Sequence, residues 1–225
     1  MDKFVPEVGG RLRDAMLQKV PESIYACGGI MFFGKRIKSL LFSTDVSIIR
    51  NTNADAVIAV HPFTPQPVIA RAIMLAADMP VLCGVGGGLT GGERVVHLAQ
   101  EAEQQGAAGV VVNAPTSNDV IERMARVLDI PILVTVVNED TDYGARIDAG
   151  VSIFNIAAAK KTPEIIRSVR GIYPHIPIIA TGGPTEASIS ETIAAGANAV
   201  TWTPPSSADI FARIMEAYRK GERHP

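Results

Sequence analysis

Three segments of this chain repeat one pattern: Met79-Pro80-Val81-Leu82, Ile130-Pro131-Ile132-Leu133 and Ile176-Pro177-Ile178-Ile179. Each is an apolar residue, a proline and a short apolar run. Proline is tolerated at the first position of a strand, where the hydrogen-bond ladder has not yet begun. A second series interleaves with the first: NADAVIAV (53–60), GAAGVVV (106–112), DAGVSIF (148–154) and GANAVTW (196–202). In these, small residues end a helix and turn tightly into a β-rich apolar stretch. Together the two series predict seven strands, near 56–60, 81–85, 109–113, 132–136, 151–155, 178–181 and 199–203. Their near-continuous apolar character suits parallel strands covered on both faces.

The stretches between them carry helical periodicity. Val95, Val96, Leu98, Ala99 and Ala102 fall on one face, and Val120, Ile121, Met124, Val127 and Leu128 on another. Thr90 with Glu93 and Ser206 with Asp209 have capping-box spacing, and Thr162-Pro163 reads as an N-cap followed by a first-turn proline. An eighth strand must lie upstream of residue 56. Ser23–Cys27 and Ser39–Ser43 compete for it, and the second is favoured because a short helix (46–52) follows directly. The other piece, with an N-terminal helix near 7–19, would close the barrel floor or serve an interface. Eight βα units in 225 residues predict an α/β chain folded as one closed (β/α)8 (TIM) barrel domain over 1–225, in preference to a doubly wound open sheet of Rossmann type.

The chain is 47% hydrophobic and 20% charged, with 21 basic and 23 acidic residues and a net charge of −2. That composition supports a sizeable core and supplies no basic excess for nucleic acid or an anionic membrane. The opening MDKFVPEVGGRLRDAM is too charged for a signal peptide, and no apolar run reaches the ~18 residues of a membrane helix. Cys27 and Cys83 form neither a CxxC pair nor a zinc spacing, so free thiols in a reducing cytoplasm are expected.

In such barrels the active site is built from strand C-termini and the loops after them. That rule nominates Asp45, His61, Cys83, Asn113, Thr135, Asn155, Thr181 and Thr203. A polar group buried at a strand end needs a partner or a ligand; capping or layer filling is the plain alternative for each. Thr181-Gly182-Gly183-Pro184-Thr185 and Thr203-Pro204-Pro205-Ser206-Ser207 follow the last two strands, where this fold usually binds phosphate. Glycines admit a ligand to the backbone, and free amides at a helix start favour an anion. The expected phosphate-binding residues are therefore Thr181, Gly182, Gly183, Thr203, Ser206 and Ser207, with two ordinary helix caps as the alternative.

Residues 86–91 of the run Gly84–Gly92 match GxGxxG. A dinucleotide site would want an acid at the end of the next strand, and Asn113 stands there, so the run reads as a glycine-rich mouth loop. Gly29–Lys35 fits GxxxxGK, but Arg36 replaces the required Ser or Thr and Met31, Phe32 and Phe33 would crowd a phosphate. His61, His97, His175 and His224 form no metal-ligand pattern, and neither a metal nor a cofactor is expected. His61 is the strand-end imidazole suited to acid–base work. Lys160, beside Lys161, could form a Schiff base if desolvated, or simply be solvated. Asp45 could act as a base, or as the N-cap of helix 46–52. Asp45, His61, Asn113, Asn155 and Lys160 are the candidate catalytic set.

From about residue 56 to 210 the layout resembles the 2-keto-3-deoxy-6-phosphogluconate aldolase branch of phosphate-binding barrels. The resemblance rests on HPFTP (61–65), GVGGGLT (84–90), VNAPT (112–116), IFNIAA (153–158) and IIATGGPT (178–185). It implies that Thr181, Gly182 and Gly183 help to hold a phosphate. The sixth predicted strand, Val151–Asn155, lacks the family's Schiff-base lysine, Ala56–Val60 lacks its glutamate, and Pro204-Pro205 replaces a glycine-serine step. The resemblance therefore implies the fold and the phosphate corner rather than that mechanism. The whole chain also resembles a group of uncharacterised bacterial barrel proteins that share a generic hydrolase label, although its serines form no GxSxG elbow.

The function expected is that of an enzyme acting on a small phosphorylated metabolite, lyase- or isomerase-like. His61 or Asp45 would move protons and Asn113 and Asn155 would orient the substrate. A hydrolase, or a non-catalytic barrel that binds a phosphometabolite, is the alternative. The apolar stretches Ile30–Phe33 and Ser39–Phe42 lead us to expect a homo-oligomer.

Overall fold

The computed structural model describes residues 4–224. A two-stranded antiparallel hairpin, β1 (Ile30–Phe32) and β2 (Lys35–Ile37), precedes eight parallel strands. These are β3 (Ser39–Phe42), β4 (Ala56–Ala59), β5 (Val81–Gly86), β6 (Gly109–Val112), β7 (Ile132–Val136), β8 (Ile153–Ile156), β9 (Ile178–Thr181) and β10 (Ala199–Trp202). They close in chain order, with β10 paired to β3 through Val200↔Ser39, Thr201↔Leu40 and Trp202↔Leu41. Closure leaves none of the eight barrel strands with an unpaired edge, which removes the exposed ladder an open sheet must protect. The architecture is the (β/α)8 barrel expected from the interleaved repeat.

A short helix, α1 (Arg11–Ala15), precedes the hairpin. Outside the strands lie α2 (Val46–Arg50), α3 (Pro67–Ala76), α4 (Glu93–Gln104), α5 (Asn118–Ala125), α6 (Tyr143–Asp148), α7 (Thr162–Ile172), α8 (Glu186–Ala194) and α9 (Ser207–Arg219). Period-two alternation sorts the strand residues into two cores. Val57, Val81, Cys83, Val110, Val134, Phe154, Ile178 and Val200 face the helices. Leu40, Ile58, Leu82, Val111, Leu133, Ile153, Ile179 and Ala199 face the lumen. The large aliphatic side chains of the lumen are almost wholly buried; each contributes about 1.5–3 kcal/mol.

Ser39–Phe42 is the first barrel strand, as favoured. The rival segment, Ser23–Cys27, overlaps a 3-10 turn, Glu22–Ala26, which packs against α8 through the buried Ile24. The barrel floor is closed instead by the hairpin, whose Phe32 and Ile37 join the lumen core with Ile30 packed against it. This corrects the expectation that Ile30–Phe33 and Ser39–Phe42 are spare apolar surface: Ile37, Leu40 and Leu41 are buried, and Met31, Phe33 and Phe42 are the residues left exposed. The helix expected over 7–19 is confined to Arg11–Ala15 and buries no residue.

Of the three expected helix caps, one forms. Ser206 and Asp209 form the expected capping box. Thr90 does not cap α4, whose N-cap is Gly92 at φ +60. Thr162 is itself the first residue of α7, and its Oγ1 accepts from the Ala158 amide at 3.0 Å. Thr185 with Ser188 forms a second box, at the start of α8.

Candidate active site at the barrel mouth

Above the lumen core, alternation places a further layer of inward positions. On one side it comprises Phe42, Val60 and Gly84. On the other it comprises Thr135, Asn155, Thr181 and Thr201, each two residues beyond a lumen-core residue of its own strand. Asn113 follows Val111 in the same way. The wall is thus apolar across β3 to β5 and polar across β7 to β10. No lumen-facing strand position carries a charge.

A cleft of about 520 Å3 opens on the apolar side, floored by Val60, Gly84 and Val111 and walled by His61–Pro65 and Gly86–Thr90, with Asn113 at its end. Pockets of this size suit small metabolites. The glycine loop is packed onto Asn113: the Asn113 amide donates to the Gly86 carbonyl at 3.1 Å, and the Gly87 amide to the Thr90 carbonyl at 2.9 Å. A Cβ at Gly87 (φ +110) would lie 2.4 Å from the Asn113 Cβ, so only glycine fits. The next loop is fixed by Arg146, whose guanidinium donates to the Ala114 carbonyl (2.8 Å), to Asn118 Oδ1 (3.0 Å) and to the Thr116 carbonyl. Sequence reasoning passed over Arg146, because nothing in a helical arginine signals that it will cap a neighbouring loop.

His61 follows the helix-facing Ala59 and sits in the wall between the cleft and a cavity of about 20 Å3 beneath α3 and α4. Its Nδ1 is buried and without a hydrogen-bond partner. Asn113 and His61 thus border one cleft. Asn155 lies elsewhere in the lumen, its side-chain amide donating to Thr135 Oγ1 at 3.2 Å. Asp45 is the N-cap of α2, accepting from the Ser47 and Ile48 amides at 2.9 and 3.3 Å. Burial raises its carboxyl, but hydrogen bonds from Ser207, Ser47 and those amides overcome this and hold it down at about 2. A carboxylate so firmly ionised is a poor base near neutral pH. Lys160 is exposed in the 3-10 turn Ala159–Lys161 and so lacks the desolvation a Schiff-base lysine requires. Its neighbour Lys161 pairs with Glu139 at 2.7 Å. Cys83 faces the helices and not the mouth, and burial pushes its thiol up to about 12.

The expected phosphate corner brings the starts of α8 and α9 beside the ends of β9 and β10. Much of its bonding capacity is used internally. Ser206 Oγ donates to Asp209 Oδ2 at 2.6 Å and accepts from the Asp209 amide at 3.2 Å. Ser207 Oγ lies 2.5 Å from Ser47 Oγ, bridging α9 to α2. Thr185 and Ser188 are exchanged in their box. Gly182 is required by packing, since a Cβ there would meet Val200 and Ile189 side-chain atoms at 2.6 and 2.8 Å; one at Gly183 (φ +79) would meet Ser188 Oγ at 2.6 Å. Thr181 and Thr203 are exposed at the corner. Glu186 and Asp209 place carboxylates in the first turns of the two helices.

Among the described residues, no three His, Cys, Asp or Glu side chains come together as a metal-holding group. The molecule is a closed (β/α)8 barrel with a cleft at the C-terminal ends of its strands. No protein-family model and no curated protein matches the chain in sequence. In structure it is similar to phosphoenolpyruvate phosphomutase from Streptomyces platensis subsp. rosaceus (14% identity, TM-score 0.62, covering 89% of this chain and 86% of that one). It is similar also to 4-hydroxy-tetrahydrodipicolinate synthase from the thermoacidophilic methanotroph Methylacidiphilum fumariolicum SolV (16%, 0.60, 84% and 75%). A third is 2,3-dimethylmalate lyase, a member of the PEP mutase/isocitrate lyase superfamily (15%, 0.61, 93% and 85%). At these identities the likeness is one of fold. None of the three is the 2-keto-3-deoxy-6-phosphogluconate aldolase that the motifs resemble.

Proposed function

We propose that this barrel is an enzyme acting on a small phosphorylated metabolite, by lyase- or isomerase-like chemistry that uses no Schiff-base lysine. The observation that carries the proposal is the cleft of about 520 Å3 at the strand C-termini, bordered by His61 and Asn113. An imidazole is the side chain suited to moving a proton near neutral pH. A carboxamide at the other side can hold the oxygen of a carbonyl or of the enolate that forms when a neighbouring C–H or C–C bond breaks. The similar structures include a phosphomutase and a lyase, which agrees with this class of reaction. The aldolase resemblance of Thr181, Gly182 and Gly183 supports the corner of β9 and β10 as the phosphate end.

At that corner phosphate would be held by backbone amides of the α8 and α9 starts and the exposed hydroxyls of Thr181 and Thr203, against the opposing charges of Glu186 and Asp209. Binding through neutral donors beside two carboxylates is weak, so a millimolar constant is expected. Gly183→Asp would test the corner badly, because its side chain collides with Ser188 and disturbs the cap. Thr203→Asp is the better probe, since Thr203 is exposed. The test is twofold. His61→Gln should abolish turnover of a phosphosugar that wild type cleaves or isomerises, and Thr203→Asp should weaken inorganic phosphate binding in calorimetry. Equal phosphate binding by both forms, or turnover undiminished in His61→Gln, overturns the respective half of the proposal. The uncharged lumen favours one second reading, a barrel that binds the same ligand without turning it over; ligand recovered unchanged after saturating binding is its signature.

We further propose a cytoplasmic homo-oligomer. Cys27 and Cys83 are free and buried, as suits a reducing compartment. No helix of the described residues is long and apolar enough to cross a membrane. The apolar face of α9 is the surface proposed for self-association.

A further inference from the structure

The polar half of the lumen is not explained by folding. Thr135 and Asn155 are direct register partners, as are Thr181 and Thr201, so four consecutive strands, β7 to β10, present a crescent of hydroxyl and carboxamide groups to the mouth. Asn155 and Thr135 satisfy each other in part, at 3.2 Å. Thr201 does not have such a partner. It is 7% exposed, and its Oγ1 is buried with no hydrogen-bond partner. Ala199 below it belongs to the lumen core and Val200 to the helix-facing core, so alternation turns the Thr201 side chain inward. A β-branched apolar residue would fill the same space without an orphaned hydroxyl, as Val60 does in the apolar wall. A buried hydroxyl without a partner calls for an explanation, and a ligand group at the mouth towards which it can rotate supplies one.

We propose that this crescent holds the uncharged, hydroxyl- or carbonyl-bearing part of a small ligand, with the Thr201 hydroxyl hydrogen-bonded to it. The chemistry of the wall sets the class. Thr135, Asn155, Thr181 and Thr201 offer donors and acceptors together and no charge, which fits the alternating hydroxyls and carbonyl of a polyol or sugar chain. The opposite wall of Phe42, Val60 and Gly84 meets the C–H face of such a chain. Thr181, at the end of β9, joins the crescent to the phosphate corner, so a phosphosugar would lie with its chain on the crescent and its phosphate beyond Thr181. The inference rests on the proposed function only in that last step; the crescent reads a neutral polyhydroxy group whether or not it carries a phosphate.

The experiment titrates D-ribose 5-phosphate, D-ribose and inorganic phosphate separately into wild type, Thr201→Val and Thr201→Ser, by calorimetry, with thermal midpoints recorded for each. Thr201→Val keeps shape and loses the hydroxyl. It is expected to leave the midpoint unchanged or raise it, to weaken ribose 5-phosphate and ribose at least tenfold, and to leave inorganic phosphate unaffected. Thr201→Ser is expected to recover binding to within about threefold. If Thr201→Val binds the two sugars as wild type does, or if wild type binds neither sugar, the inference is overturned. If ribose binds in a Thr201-dependent way while inorganic phosphate does not bind at all, the crescent stands and the phosphate assignment falls.

Discussion

Asp45 works at the seam where the barrel closes. Its carboxylate caps α2, while Ser47 beside it contacts Ser207 at the start of α9, so β3 and β10 are tied at their C-terminal ends as well as by their ladder. Its carboxyl falls from an ordinary 3.8 to about 2. A carboxyl with a depressed folded value contributes stability that is fully present above the unfolded value and is lost as pH falls through the folded one. The window is therefore from roughly pH 4 down to pH 2. Asp45→Asn keeps a capping side chain without the charge, so the gap in urea midpoint between wild type and variant should be widest above pH 4 and close towards pH 2. A gap that stays constant across that range shows the charge to be idle. Cys83 gives a second residue-scale test. Buried and with its thiol raised to about 12, it should resist iodoacetamide in the folded protein at pH 8 and react on unfolding; labelling of the folded form at the rate of a free thiol contradicts its placement.

At the scale of elements, the hairpin on the barrel floor carries a cost. Its two-residue turn, Phe33-Gly34, has both residues at positive φ, +45 and +85, the geometry that matches the strand twist and favours Asn-Gly. A bulky residue in that region is strained by about 1–2 kcal/mol. Phe33, 73% exposed, offsets little of it by burial within the chain. Phe33→Asn should therefore stabilise the protein by about 1 kcal/mol in urea denaturation, and a loss of stability would show Phe33 to be buried against another molecule. The loop after β6 makes the opposite test. Arg146→Gln should free residues 114–118, seen as faster amide exchange there, at a cost of about 1–3 kcal/mol for the unpaired carbonyls. The elements most legible in the sequence were those with a chemical reason to be where they are. Prolines 80, 131 and 177 stand immediately before β5, β7 and β9, where no ladder bond is lost, and the short helix that follows Ser39–Phe42 directly distinguishes that segment from the turn at 22–26. Facing was less legible. Thr203 was chosen from β10 because it closes the apolar run, whereas the lumen is lined by Thr201, and only the alternation of Ala199 and Val200 between two cores reveals it. Cys83 faces the helices by the same alternation, one position out of step with the lumen residues Leu82 and Gly84. Spacing also misled at Thr90: a capping-box pattern is real only if the threonine is the residue before the helix, and Gly92 holds that position.

For the molecule as a whole, the helix layer is incomplete at α9. This is a thirteen-residue helix with an apolar stripe, yet it buries none of its residues, and Phe211 is 64% exposed. The other outer helices of comparable length, α4 and α7, bury four and five. Beside α9 runs a groove of about 200 Å3 whose apolar lining is Met16, Ile48, Ile210, Phe211 and Ile214, with Gln18, Ser47, Asn51 and Ser207 as its polar part. The N-terminal segment adds Phe4, Val5, Val8 and Leu12, all largely exposed. Scattered apolar residues need no partner, but an exposed apolar helix face with an adjoining groove is the kind of surface that a partner covers. A second copy presents the same groove and the same helix, so one two-fold contact can bury both at once. Phe211 is the large aromatic most exposed on that helix and would be the natural anchor of such a contact. Wild type should therefore sediment as a dimer or larger closed oligomer at micromolar concentration. Phe211→Asp should shift it towards monomer with an unchanged far-UV spectrum, because the side chain makes no contribution to the core of its own chain. A wild type that is monomeric at that concentration overturns the proposed assembly outright. A stable oligomer that Phe211→Asp leaves intact moves the interface away from α9, and the exposed Met31 and Phe33 of the floor hairpin are the next surface to substitute.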